Sequence, residues 1–210
     1  MNVAITPRRR GRPPKATMGF SETRESLVRA GLVALTEKGF SATGIDEILK
    51  AVGVPKGSFY HYFDSKEAFG AELIDRYGKY FARRLERFFA DSERPHLQRL
   101  EAFTRDAEDA MARFAFSRGC LVGNLGQEMG ALPESYRQQL SDVFVDWQHR
   151  TAACLRAAQA EGEIGTNHDV NELAAFFWIG WEGAVLRAKL ERNADALRTF
   201  ANGFFAMTRA

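Results

Sequence analysis

The sequence predicts an all-α protein, and three observations carry that prediction. Apolar residues recur at helical spacing, as in Ile45, Ile48, Leu49 and Val52, and again in Phe69, Leu73, Tyr77, Phe81, Leu85 and Phe88. Residues suited to helix ends, among them Gly39, Gly53, Pro55 and Pro95, fall between these runs. No stretch alternates with period two for long enough to suggest a sheet.

Residues 1–19 combine prolines, glycines and basic residues without periodicity, which predicts a disordered basic arm. Within it, Arg10-Gly11-Arg12-Pro13 resembles the core of an AT-hook, so Arg10 and Arg12 are candidates for a minor-groove contact, with nonspecific phosphate attraction as the alternative. A first helix is expected from Ser21 to Lys38, presenting Leu27, Ala30, Gly31, Ala34 and Leu35 and stopped by Gly39, with Phe40 packing behind it. Thr43, three residues before Asp46, reads as the N-cap of a second helix ending at Val52. Gly53 permits a sharp turn and Pro55 suits the first position of a third helix, Lys56 to Phe63. Its Lys56, Gly57, Ser58, Tyr60, His61 and Tyr62 suit phosphates and groove edges better than a core, which marks it as a recognition helix.

Lys66 to about Ala90 reads as one connector helix, more than 30 Å long at about 1.5 Å per residue. Beyond Pro95, helical patterns cover roughly 95–116, 119–131, 133–162, 169–192 and 194–208. On a helix over 119–131, Gly119, Gly123, Gly126 and Gly130 would stack along one face. Cys120, Asn124 and Gln127 would share a neighbouring face, either pointing into a cavity or, for Cys120, filling a packed core. Two stripes mark the helix over 169–192: Leu173, Phe176, Phe177, Gly180 and Ala184 on one side, and Trp178, Glu182, Val185 and Lys189 on another. One face is expected to close a domain and the other to pair with a symmetry mate around Gly180 and Ala184, helped by Phe200, Phe204, Phe205 and Met207.

Composition narrows the function classes. The 210 residues are 45% hydrophobic, enough for a core without metal or disulfide. The formal net charge is +2, but Arg8, Arg9, Arg10, Arg12 and Lys15 place the excess in the arm. Cys120 and Cys154 form no framework of paired spacings, no run of about 18 apolar residues is present, and no apolar segment follows the N-terminal charges. These features predict a cytoplasmic protein with no membrane partner. His149 and His168 lack a companion spacing for a metal, and no cofactor is expected. No His-Glu-x-x-His, Gly-x-Ser-x-Gly or phosphate-binding Gly-Lys-Ser/Thr motif occurs, which argues against an enzyme. A constitutive architectural DNA-binding protein is a further alternative, motivated by the arm.

The segment GIDEILKAVGVPKGSFYHYFDSKEAF resembles the helix-turn-helix signature of TetR-family transcriptional regulators. The resemblance implies an N-terminal three-helix helix-turn-helix DNA-binding domain, at 20–64, and a C-terminal helical ligand-binding and dimerisation domain, at 65–210. It also implies a homodimer on a palindromic double-stranded DNA operator, released by a small effector. The DNA-binding candidates are then Arg10, Arg12, Thr43, Lys56, Gly57, Ser58, Tyr60, His61, Tyr62 and Lys66, the last at a position that touches phosphate in the family. The runs RGCLVGNLGQEMGALP and FWIGWEGAVLRAKLE resemble acrylate-responsive members that control breakdown of acrylate and dimethylsulfoniopropionate. A more distant subgroup senses electrophiles and hypochlorous acid through a cysteine and a lysine at positions occupied here by Cys120 and Lys189. The expected effector pocket comprises Phe116, Arg118, Cys120, Asn124, Trp178, Trp181, Glu182 and Lys189. Lys189, or failing it Arg118, would meet the carboxylate, and an ammonium beside Cys120 would lower its thiol pKa.

Overall fold

The computed structural model describes residues 19–209. Its helices are α1 (Phe20–Lys38), α2 (Ile45–Val52), α3 (Lys66–Phe89), α4 (His96–Ala112), α5 (Leu121–Gln127), α6 (Ser135–Ala160), α7 (Val170–Glu191) and α8 (Asp195–Thr208). Among the described residues there is no strand, only an isolated bridge between Ile164 and Arg209. The expected basic arm, with Arg10 and Arg12, lies outside the described residues.

α1 stops where Gly39 takes φ +81°, a conformation that a side chain would strain. Gly31, in its middle, lets Phe69 and Leu73 of α3 approach the backbone. The N-cap expected at Thr43 is instead Gly44, which offers no side chain. Thr43 is only 1% exposed, and its hydroxyl donates to Gly39 O at 2.6 Å, tying the loop back to the end of α1. α2 closes on Gly53 at φ +76°, with Val54 N donating to Leu49 O at 3.0 Å.

The helix expected over Lys56 to Phe63 contracts to a 3-10 turn, Phe59–His61. Phe59 and Phe63 both enter the core, with ring centroids 5.4 and 4.6 Å from that of Phe69. Three-residue bonds, His61 N to Ser58 O and Tyr62 N to Phe59 O, fit a segment too short to sustain an α-helix around Gly57. α3 begins as expected, Ser65 Oγ accepting from Ala68 N at 2.9 Å.

Below this head, α3, α4, α6 and α7 surround an aromatic centre. Trp147 lies 4.3 Å from Phe81 and 4.9 Å from Trp178 between ring centroids, and Trp178 Nε1 donates to Thr151 Oγ1 at 3.0 Å. Removing a side chain such as Trp147 from this centre would cost about 3–5 kcal/mol.

The helix expected over 95–116 ends at Ala112, because Ala115 and Phe116 adopt φ +48° and +56°. The one expected over 119–131 shrinks to α5, so Gly119 and Gly130 fall outside it and the four glycines form no continuous helical face. The face of α7 expected to pair is occupied within the chain itself. Gly180 lies beneath the Phe200 ring of the chain's own α8, and Ala184 is buried. The exposed stripe runs one position away, through Ile179, Gly183, Leu186 and Leu190, with Ile179 72% and Leu190 75% exposed.

Candidate functional site

The turn after α2 divides its side chains between core and solvent. Phe59 and Phe63 anchor it, which turns Tyr60, 66% exposed, and His61 outward. Lys56 is exposed and paired with Asp46, while Gly57 has open space above its Cα. These residues form one accessible surface with half-buried Ser58 at its edge. Three candidates depart from the expected pattern. Tyr62 stacks on Phe20 with centroids 4.8 Å apart. Thr43 buries its side chain against Gly39. Lys66 donates to Phe40 O at 3.0 Å and sits 4.3 Å from the Phe40 ring centroid, and burial lowers its pKa.

A second feature is a cavity of about 340 Å³ among α1, α3, α4, α7 and the loop before α5. Its walls are mostly apolar, including Leu32, Val33, Phe81, Ala110, Met111 and Val185, with a few polar groups among them. Of the expected pocket residues, Arg118, Cys120, Trp181 and Glu182 line it. The other four do not line it, although Asn124 and Lys189 join Cys120 and Glu182 around a much smaller adjoining pocket. Trp178 belongs to the aromatic centre. Phe116 lies on the left-handed turn after α4 and packs against the core. Asn124 donates to Leu35 O and Thr36 O, both at 2.9 Å, and Lys189 donates to Thr36 O at 3.2 Å.

Sequence reasoning missed Tyr77, Tyr80 and Arg84, which complete the wall from α3. The signal was present in Arg84, a cation seven residues after Tyr77 and three after Phe81, on one face of the connector. Asp106 holds its guanidinium, with Nε and Nη2 at 2.8 and 2.6 Å from one carboxylate oxygen. Arg118 donates from Nε to Glu37 at 2.9 Å and lies 3.8 Å from the Phe114 ring centroid, leaving its remaining donors for a ligand.

The electrostatics at the cavity floor reverse the expectation for Cys120. Burial, and then the Glu182 carboxyl beside it, push its thiol well above the ordinary range. Lys189 is committed to Thr36 O, and burial lowers its pKa. The arrangement is therefore a protonated thiol against an acid rather than a thiolate against an ammonium. Burial raises Glu182 to about 7, with hydrogen bonding from Cys120 acting the other way. Tyr77, beside Cys120, is likewise pushed up by burial. Gly123 leaves room for this carboxyl, since a Cβ there would overlap Glu182 Oε2.

Between the cavity and the head surface lies a hydrogen-bonded seam. Thr36 O, near the end of α1, accepts from Gly119 N at 3.0 Å as well as from Asn124 and Lys189. Just beyond α5, the Glu128 carboxylate accepts from Phe40 N at 3.0 Å and Ser41 N at 2.7 Å.

Residues 27–73 match the model of the bacterial regulatory proteins of the tetR family, and residues 96–204 match the tetracyclin repressor-like C-terminal domain. The chain is 57% identical to the transcriptional regulator AcuR of Cereibacter sphaeroides, over 93% of this chain and 89% of that protein. It is 32% identical to the HTH-type transcriptional repressor DhaR of Mycobacterium sp. strain GP1, over 90% and 93% of the two chains. The crystal structure of regulatory protein TetR from Rhodobacter sphaeroides superposes with a TM-score of 0.87 at 57% identity, covering 89% of this chain and 98% of that one. No helix of the described residues is long and apolar enough to cross a membrane.

Proposed function

Since the chain belongs to the TetR family of bacterial regulatory proteins, we propose that it is a repressor that grips a palindromic operator as a homodimer and lets go when acrylate or a related short unsaturated acid binds. The head, residues 20–64, reads the DNA through Lys56, Gly57, Ser58, Tyr60 and His61, and residues 65–210 sense the effector and dimerise. Arg10 and Arg12 add minor-groove contacts from the arm.

The observation that carries the effector reading is the cavity itself, an apolar space with cations at Arg84 and Arg118 and protonatable groups at Cys120 and Glu182. An unsaturated chain suits its apolar wall and a carboxylate suits Arg118, which takes the role expected of Lys189. The raised thiol pKa of Cys120 favours noncovalent binding over alkylation, and it withholds support from a thiol-based switch using Cys120 and Lys189. The cavity exceeds the needs of a three-carbon acid, so longer acids and the acrylyl thioester belong in the same screen.

The homodimer is supported by the stripe Ile179, Gly183, Leu186 and Leu190, whose steps of four, three and four align it along one face of α7. Met207 of α8 is exposed as well. A self-complementary apolar stripe is the economical material of a two-fold interface. The deciding experiment is fluorescence anisotropy on an inverted-repeat duplex from upstream of the regulated gene, titrated with each acid. Release by acrylate or a close relative is expected, and undiminished binding with every acid offered overturns the effector reading.

A further inference from the structure

We propose that Glu128 is the positioning residue through which occupancy of the cavity reaches the DNA-facing head. The inference rests on the reading of the chain as an effector-released repressor. α5 is anchored at both ends. Its N-cap, Cys120, is part of the cavity wall, and the thiol accepts from Gly123 N at 3.5 Å. Past its other end, the Glu128 carboxylate clasps the N–H groups of Phe40 and Ser41, in the link between α1 and α2. Two charge-assisted bonds from one carboxylate fix that link in orientation as well as distance.

The clasp depends on Gly39 in two ways. Its φ of +81° turns the following N–H groups, and its missing Cβ leaves space that Glu128 Oε1 fills. The Phe40 peptide is also held from its other side, because Lys66, the first residue of α3, donates to Phe40 O. The joint between head and connector is therefore pinned by Lys66 from α3 and by Glu128 from the effector side. A helix as short as α5, roughly 10 Å at about 1.5 Å per residue, moves as a unit. Pressure on Cys120 is then delivered at Glu128, and the head shifts relative to α3.

The test is a double-mutant cycle that needs no effector. Ala110 lines the cavity, so A110F fills it from the wall, and A110L serves if A110F does not fold as judged by circular dichroism. Operator affinity is measured for wild type, A110F, E128Q and the double variant. The expected result is about a tenfold loss from A110F in the wild-type background, within the usual range of allosteric coupling, and little or no loss in the E128Q background. Equal effects in the two backgrounds, including none in either, overturn the inference, since a merely structural Glu128 would weaken both alike. Acrylate titration of the wild type runs alongside. Release by acrylate with an additive cycle removes Glu128 and keeps the effector reading, whereas a coupled cycle without acrylate release removes that effector and keeps Glu128.

Discussion

Five residues between Lys56 and His61, with Phe59 turned into the core, form the proposed operator-facing surface, whereas the cavity collects its wall from α1, α3, α4, α7 and a loop. The head surface is solvated and polar, held out by two aromatic anchors, Phe59 and Phe63. The cavity is largely apolar, and burial there keeps Tyr77, Cys120 and Glu182 holding their protons at higher pH than they would in water. The contrast teaches that two functions in one small chain can be separated by solvation. In the proposed function, DNA affinity is set by groups that retain water until the duplex displaces it, and effector affinity by groups that are already largely desolvated. Substitutions in one region should therefore leave the other untouched, and only the seam at Thr36 and Glu128 should affect both.

The strongest challenge to this separation is the double substitution Y60A/H61A. If each side chain contributes about 1–3 kcal/mol of contact, the pair together contributes about 2–6 kcal/mol and operator affinity falls by about 30-fold or more. Acrylate binding, followed by calorimetry without DNA, should not change. Loss of acid binding as well would mean that head and cavity are not separable.

R118A probes the reverse direction. Removing a charge-assisted partner worth about 1.5–3 kcal/mol should weaken acrylate roughly 10- to 100-fold while anisotropy on the operator stays at the wild-type value. Wild-type affinity for the acid in R118A would move the carboxylate site to Arg84.

A smaller effect follows from Glu182. Its native pKa of about 7 lies above the ordinary carboxylate range, so between those values the native state binds more protons than the unfolded chain. Stability from this group is present at low pH and is lost as pH rises through about 7. A carboxylate effector meets the same trend, because ionised Glu182 repels it. Acrylate affinity should fall several-fold, less than about tenfold per pH unit, between pH 6 and 8, and E182Q should flatten the profile. A profile that stays steep in E182Q assigns the titration to another group.

The smallest expected change is that of C120S. With the thiol protonated and against an acid, release by acrylate should persist, and mass spectrometry of the wild type should find no adduct at Cys120 after release. Release that vanishes in C120S together with an adduct in the wild type would establish alkylation.

Much of the fold is legible in the sequence alone. The breaks at Gly39 and Gly53 were readable because a left-handed residue is cheap only for glycine. α3 was readable because its apolar stripe persists from Phe69 to Phe88, and the structure adds the cap at Ser65. Thr43 misled because a threonine before an acid looks like a cap, while its hydroxyl had a better acceptor four residues back, at Gly39 O. The 119–131 pattern misled because glycine spacing describes a helix face only if the helix forms, and this one has seven residues. Cys120 and Lys189 do line one small pocket, but the donation of Lys189 to Thr36 O and the carboxyl of Glu182 beside Cys120 depend on rotamers that sequence spacing does not carry.

The sequence by itself determined the all-α class and the exposure of Lys56, Gly57, Tyr60 and His61, and its family resemblance pointed to four residues that line the cavity, Arg118, Cys120, Trp181 and Glu182. The class and the exposed head residues follow from local rules, periodicity and backbone permissiveness, and the cavity residues from the resemblance carried by two short runs of sequence. Only the tertiary structure decided that Tyr77 and Arg84 share a cavity with them, that α7 exposes Ile179 and Leu190 rather than Gly180, and that Glu128 reaches the joint after α1. The reason is physical: periodicity fixes which residues share a helix face, but the partner of that face is chosen by packing among elements distant in sequence, where a rotation of one residue exchanges core for solvent.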